Sequence, residues 1–212
     1  ADKPVADLAT DTGKMSDGGK TWKFTIKDGV KWEDGKDITC ADFKYGLSRT
    51  FATDVITGGP NYAIGFLDIP KKGDAPAYNG PYKKEGQAEF DKAVTCEGKT
   101  ITYKFNKAWP DFNLAVASLR AFDPFRKDQD KGDKSNYAIF SNGPYKLAEW
   151  NHNQDAIVVP NATGAEHAPA VAQPGAGHLP VAPAEVVTTP GGHTAVVTHA
   201  VPGTDAAHAV GE

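Results

Sequence analysis

Two segments of the chain alternate between apolar and polar residues, the period that places one set of side chains on a single face of a β-strand. They lie at residues 21–27 and 99–105. The apolar members are Trp22, Phe24 and Ile26 in the first segment and Ile101, Tyr103 and Phe105 in the second. Each is flanked by a turn dipeptide, Asp28-Gly29 after the first and Glu97-Gly98 before the second. The pattern predicts two half-buried strands.

Helical spacing follows the first strand. Thr39-Cys-Ala-Asp42 has the Ser/Thr-x-x-acid form of a helix start, and the spacing of four between Phe43, Leu47 and Phe51 predicts a helix with one apolar face. A second helix is predicted over 111–121, after Pro110, and a short helical turn over 87–93. Residues 141–150 are predicted to be a turn that leads into a strand. Because strands and helices mix without strict β-α-β alternation, the predicted fold class is α+β.

The composition changes sharply near residue 155. Every Lys and Arg lies before that point, and residues 156–212 contain no aromatic residue and seven prolines. Proline at this density interrupts both helices and central strands. Short strands are possible near 186–189 and 195–198. We therefore predict two parts, 1–155 as a folded domain and 156–212 as a low-complexity, mostly disordered tail.

Charge and chemistry narrow the functional classes. The net charge is −4 and basic residues form no patch, which argues against a nucleic-acid partner. No apolar stretch approaches the length of a membrane span. No nucleophile–base motif or phosphate-binding loop stands out, so no catalytic residue is predicted. The six histidines are irregularly spaced, and neither a metal site nor a cofactor is predicted.

The two cysteines, Cys40 and Cys96, are far apart and lie outside any Cys-x-x-Cys pair. Their separation fits one disulfide in an exported protein and two buried thiols in a protein that is not exported. The residues alone leave both possibilities open.

Two blocks of the chain resemble family 5 of the bacterial extracellular solute-binding proteins, which includes oligopeptide-, dipeptide- and nickel-binding components of ABC importers. The first block covers residues 16–49, with the turn Asp-Gly-Val-Lys-Trp-Glu-Asp-Gly at 28–35 and the helix start at 39–42. The second is Asn-Gly-Pro-Tyr-Lys-Leu-Ala-Glu-Trp at 142–150. Residues 55–62 and the cysteine positions are similar to actinobacterial members.

The resemblance implies that residues 1–155 are part of the first lobe of a two-lobed, class II periplasmic-binding-protein-like fold. It implies a non-enzymatic, extracytoplasmic substrate-binding component of an ABC importer that captures peptides or a related small solute. The expected partners are that solute and the permease subunits, with membrane attachment only through a lipid anchor or signal outside this chain. An oxidising compartment favours a Cys40–Cys96 disulfide. Tyr62 matches an aromatic position near the ligand cleft; the alternative, which the residues alone favour slightly, is that Tyr62 only packs a loop.

Two alternatives remain. Family members begin upstream of residue 1 and continue far beyond residue 155, so the chain could be a truncated or frame-shifted fragment without independent activity. The second alternative is a secreted hydrolase whose catalytic residues form no recognisable motif.

Overall fold

A computed structural model describes residues 3–57, 62–151, 155–164, 185–188 and 194–197. The chain divides into two compact units, residues 1–146 with 160–167, and residues 147–159 with 168–212. In chain order, the described helices and strands are β1 (Lys14–Ser16), β2 (Thr21–Thr25), α1 (Cys40–Arg49), α2 (Tyr62–Phe66), β3 (Lys71–Lys72), β4 (Ala75–Pro76), α3 (Gln87–Ala93), β5 (Val94–Glu97), β6 (Thr100–Lys104), α4 (Phe112–Ser118), β7 (Tyr145–Asn151), β8 (Asp155–Pro160), β9 (Glu185–Thr188) and β10 (Thr194–Val197). The mixture confirms the predicted α+β class.

The first unit is built on an antiparallel sheet with the strand order β1-β2-β6-β5. In the register of β2 and β6, Trp22 lies opposite Tyr103, and Phe24 lies opposite Ile101. Directly opposed residues of an antiparallel pair share a face, so the two predicted apolar stripes join into one surface. All of these side chains are buried.

Phe112, the first residue of α4, packs against the apolar face of the sheet. Its side chain is fully buried, and its ring centroid lies 4.7 Å from that of Phe105, 5.3 Å from Tyr103 and 6.0 Å from both Trp22 and Phe24. Offset and edge-to-face aromatic contacts of this kind add to the stabilisation that burial alone provides. The short helix α4 is therefore anchored by a single aromatic residue at its first position.

The predicted helix start at Thr39 is confirmed. The Thr39 backbone N–H donates to Asp42 Oδ2 at 2.8 Å, and the Thr39 hydroxyl donates to the same oxygen at 2.9 Å. The Trp32 indole N–H adds a third donor at 3.3 Å. Helix α1 ends at Arg49, while Phe51 is buried in the turn that follows.

The predicted helix over 111–121 is shorter in the structure. Helix α4 ends at Ser118 because Leu119 adopts an extended conformation, with φ −100° and ψ 114°. A 3₁₀ turn, Arg120–Phe122, follows and buries Ala121 and Phe122. The helical turn predicted over 87–93 is confirmed as α3.

Cys40 and Cys96 form a disulfide with a Cα–Cα distance of 5.8 Å. The bond joins the first residue of α1 to β5, at the edge of the sheet. The disulfide that the family resemblance implied is therefore present.

Strand β8 lies at the predicted domain boundary and is paired with β7. Within the first unit, Asn161 donates from Nδ2 to the Gly143 carbonyl at 2.8 Å, and the Thr163 hydroxyl donates to the Trp32 carbonyl at 2.8 Å. Strands β9 and β10 pair with each other in antiparallel register. Most of residues 156–212 lies outside the described part, so the disordered tail stays a prediction.

Candidate functional site

Helix α2 carries Tyr62, the residue for which a ligand contact is predicted. The helix begins at Tyr62, but the side chain of Tyr62 lies outside the described residues, and its role stays a prediction. The other end of the helix is held firmly, because Asn106 Nδ2 donates to the carbonyls of Gly65 and Leu67 at 3.1 and 3.2 Å. The bond to Gly65 supplies a partner for a carbonyl at the helix end, while the Leu67 carbonyl, just beyond α2, also accepts from the Ile69 N–H at 2.8 Å.

An aromatic platform, formed by Phe66 and Trp109, supports the end of α2. Their ring centroids are 4.3 Å apart, and the Lys107 ammonium lies 3.9 Å from the centre of the Phe66 ring. Trp109 is fixed from the sheet side, because the Trp22 indole N–H donates to its carbonyl at 3.0 Å. Trp109 is buried, Phe66 is half-buried and Lys107 is exposed, so the part of this platform that reaches the surface is the Phe66 ring with its cation–π partner.

The turn of the first family block contacts residues 140 and 141, which directly precede the second block. The Glu33 backbone N–H donates to the Ser141 carbonyl at 3.0 Å, and the Ser141 N–H donates to Glu33 Oε2 at 2.7 Å. The Trp32 and Phe140 rings are 5.7 Å apart. Gly35 has φ +83°, the left-handed conformation that its turn requires and that glycine adopts without strain.

Arg126 ties the same turn to a neighbouring loop. Its guanidinium donates to Asp34 Oδ2 and to both oxygens of Asp128, each at 2.6 Å, and it stacks on Phe140 at 4.8 Å. The hydrogen bond from Arg126 is the main cause that lowers the pKa of both Asp34 and Asp128. Because its donors are used within the protein, Arg126 has a structural role.

Asp130 is the centre of a second polar cluster, formed with Tyr45, Tyr82, Arg49 and Ser135. Its Oδ2 accepts hydrogen bonds from the hydroxyls of Tyr45 and Tyr82 at 2.8 Å and from Arg49 Nε at 3.1 Å. Its Oδ1 accepts from the Ser135 hydroxyl and the Gly132 N–H. Desolvation raises the pKa of Asp130, but these hydrogen bonds and the Arg49 charge outweigh it and lower the pKa overall.

Neither polar cluster was singled out in the sequence. Asp130 lies in a charged, non-periodic stretch, and its partners are up to 85 residues away. Asn106 likewise has no local motif. Such contacts depend on the tertiary fold, and no sequence signal within a single segment could have found them.

The described residues contain neither a candidate metal site nor a candidate membrane-spanning helix. They contain no group of three or more His, Cys, Asp or Glu side chains placed to hold a metal ion. None of the helices in the described part of the chain has the length and apolar character needed to cross a bilayer.

Comparison with known proteins places these features in a family. Residues 3–170 match the family of bacterial extracellular solute-binding proteins, family 5. The chain is 30% identical over 156 residues to the dipeptide-binding protein DppE of Bacillus subtilis, covering 68% of this chain and 25% of that protein. It is 31% identical over 144 residues to the oligopeptide-binding protein OppA of the same species, covering 66% of this chain and 25% of that protein.

A solved structure supports the same assignment. The clavulanic acid biosynthesis oligopeptide binding protein 2 is 30% identical and superposes with a TM-score of 0.67, over 76% of this chain and 28% of that one. The chain thus spans about a quarter of the length of the relatives it matches, and it corresponds to part of a lobe of the class II periplasmic-binding fold. By the match over residues 3–170, the chain belongs to family 5 of the bacterial extracellular solute-binding proteins.

Proposed function

We propose that the chain is part of the extracytoplasmic substrate-binding component of an ABC importer, and that this component captures peptides for uptake. The observation that carries the proposal is the family match over residues 3–170. The names of two relatives, a dipeptide-binding and an oligopeptide-binding protein, support peptides as the solute class. The partners in this proposal are the peptide and the permease subunits of the importer.

The Cys40–Cys96 disulfide supports an extracytoplasmic location. Disulfides persist in secreted and periplasmic proteins and are rare where thiols are kept reduced.

In this proposal, α2 forms part of one wall of the ligand cleft, with Tyr62 as the contact residue. The Asn106 bonds to the end of α2 and the Phe66–Trp109 contact support this role, because they fix the backbone that carries Tyr62. A rigid element holds a binding side chain in place at a low entropic cost on binding. Binding without chemistry requires no nucleophile or base, and specificity would come from pockets and hydrogen bonds.

Nuclear magnetic resonance of the ¹⁵N-labelled chain tests this role of α2. We expect millimolar di- to pentapeptides to shift the amide signals of α2 and of residues 105–109. We expect Tyr62→Ala to reduce these shifts. Tyr145→Ala is the matched control, because Tyr145 is exposed and belongs to a different segment. Shifts confined to other regions, or shifts equal in Tyr62→Ala and wild type, would contradict the proposed wall.

A further inference from the structure

A cavity of about 470 Å³ lies within the first unit, between the N-terminal segment, the sheet and α4. Phe24, Ile26, Ile101 and Tyr103 line it from the sheet, and Val116 lines it from α4. Its volume lies within the range of about 300–1,000 Å³ typical of small-molecule sites. No lining residue belongs to α2, so the cavity is separate from the proposed peptide wall.

The Tyr103 hydroxyl is a polar group in this apolar wall. The side chain of Tyr103 is 1% exposed, and its ring is held edge-on by Phe24, Phe112 and Phe122. Within the described residues the hydroxyl has no hydrogen-bond partner, and desolvation alone raises the pKa of Tyr103. Among the described residues, the solvent-excluded side-chain oxygen without a partner is that of Tyr78, and the Tyr103 hydroxyl is not in this class. The Tyr103 hydroxyl belongs to a residue that lines the cavity, so it is available to hydrogen-bond to a bound molecule.

The ionisable groups that line the cavity are mostly acidic. They are Asp7, Asp11 and Asp123, against one cation, Lys3. Asp11 already accepts a hydrogen bond from the Gly13 N–H and forms an ion pair with Lys14 at 3.9 Å, so the carboxylate considered for a ligand is that of Asp123. Asp123 is exposed, and its carboxylate makes no hydrogen bond or ion pair with the described residues, whereas its backbone N–H donates to the Arg120 carbonyl at 3.2 Å. Desolvation raises the pKa of Asp123 despite the nearby charge of Arg120, and a bound cation would favour its charged form.

We propose that this cavity binds a small apolar amine, whose hydrocarbon body packs on the aromatic wall, whose polar group hydrogen-bonds to the Tyr103 hydroxyl and whose charge is balanced by Asp123. The apolar wall selects against strongly hydrated ligands, since burying polar groups without partners is costly. The excess of carboxylates selects cations over anions.

The test uses 2-phenylethylamine as the probe, with 3-phenylpropionate as an anion of similar size and 2-phenylethanol as the neutral analogue. Titrations of the ¹⁵N-labelled chain report where each compound binds. We expect saturable shifts at Leu8, Asn113 and Val116 with the amine, weaker shifts with the alcohol, and none with the anion.

Three variants separate binding from folding. Tyr103→Phe removes a hydroxyl that no described residue uses, so we expect unchanged or slightly higher stability and about fivefold weaker amine binding. Asp123→Asn should bring the dissociation constant of the amine closer to that of the alcohol. Val116→Phe fills the cavity and should abolish binding, with thermal unfolding as the check that the chain is folded.

Each result bears directly on the proposal. No saturable binding of the amine to the wild-type chain overturns it. Equal affinity for the amine and the anion overturns the charge argument, and equal affinity of wild type and Tyr103→Phe overturns the role of the hydroxyl. The peptide titration above reports on α2 and is read out separately, so failure of one proposal does not imply failure of the other.

Discussion

Asp130, which lies between the 3₁₀ turns Lys127–Gln129 and Gly132–Tyr137, shows how one carboxylate can hold a connecting segment against helix α1. Its side chain is 4% exposed, and it receives hydrogen bonds from helix α1, from Tyr82 and from its own loop. Arg49, one of these donors, also stacks on Phe125 at 3.7 Å. A buried charge is tolerated only when it is paired and hydrogen-bonded, and Asp130 meets both conditions.

We therefore expect Asp130→Asn to lower the free energy of unfolding by about 2–3 kcal/mol at neutral pH. The amide carries no charge to pair with Arg49, and its NH₂ group cannot accept the hydrogen bonds that one carboxylate oxygen accepted. Urea unfolding followed by tryptophan fluorescence measures the change. Asp74→Asn is the control, because Asp74 makes no hydrogen bond or ion pair with the described residues, and it should cost almost nothing.

The same substitution should change how stability depends on pH. The folded-state pKa of Asp130 is lowered, so the folded state binds protons less readily than the unfolded state, whose Asp pKa is about 3.9. The contribution of Asp130 is therefore complete above that value and is lost as the pH falls through the folded-state pKa. We expect the gap between wild type and Asp130→Asn to narrow in acid. A gap that stays constant between pH 7 and pH 3 would show that charge is not the cause.

At the scale of elements, the structure confirms those predictions that rest on local patterns. Period-two alternation identified β2 and β6, and the Thr39–Asp42 motif identified the start of α1. Both signals depend on residues next to each other in sequence. The edge strand β1 was missed because it is three residues long and fully exposed, so it has no apolar stripe to detect.

The remaining features depend on contacts between distant segments. The order β1-β2-β6-β5 brings β2 beside a strand about 80 residues later, and no local pattern specifies that pairing. The end of α4 was placed too late because the apolar residues Leu119 and Ala121 continue past the point, Leu119, at which the backbone becomes extended. The role of Tyr62 could be inferred only from family resemblance, while Asn106, which holds its helix, gave no signal at all.

The start of α1 gives an element-scale prediction. Asp42 Oδ2 accepts hydrogen bonds from the Thr39 backbone and side chain and from Trp32. Loss of such a cap costs about 1–2 kcal/mol, so Asp42→Ala should lower the free energy of unfolding by that amount. Asp42→Asn keeps one acceptor oxygen and should cost less than half as much. Equal losses for the two variants, measured by urea unfolding, would show that the charge rather than the acceptor matters.

The disulfide that joins α1 to β5 gives a second element-scale prediction. It closes a loop over a sequence separation of 56 residues, and the loop-entropy estimate assigns it about 4 kcal/mol. We expect reduction to lower the urea midpoint of the wild-type chain strongly. The Cys40→Ala/Cys96→Ala double variant should match the reduced protein and should not respond to reductant. A wild-type midpoint that is insensitive to reduction, with both thiols shown to be free, would contradict this account.

At the scale of the whole molecule, the turn of the first family block and the segment that precedes the second block form a continuous frame. The Glu33–Ser141 hydrogen bonds and the Trp32–Phe140 ring contact join that turn to residues 140 and 141. This frame shapes the lobe and contributes no recognisable ligand chemistry. The motifs that identify the family are therefore mainly structural, which explains why the sequence predicted the fold more securely than the binding residues.

The affinity of the 212-residue chain for peptides depends on how much of the ligand cleft the chain contains. Ligand pockets bury about 70–90% of a small ligand's surface, and the chain spans about a quarter of the length of its relatives. If α2 supplies part of one wall, a peptide bound to this chain keeps much of its surface in water. Each loss of about 1.4 kcal/mol weakens binding tenfold, so we expect dissociation constants in the millimolar range or weaker.

Isothermal titration calorimetry of the chain against a mixed di- to pentapeptide library measures this affinity directly. The dissociation constant distinguishes a partial cleft from a complete site. Loss of several contacts would weaken a micromolar site so far that calorimetry would detect no heat of binding. A micromolar dissociation constant that is lost in Tyr62→Ala and kept in Tyr145→Ala would show that this chain holds a complete site. It would also overturn the view that α2 is only one part of a cleft, because Tyr62 would then anchor the ligand without a facing lobe.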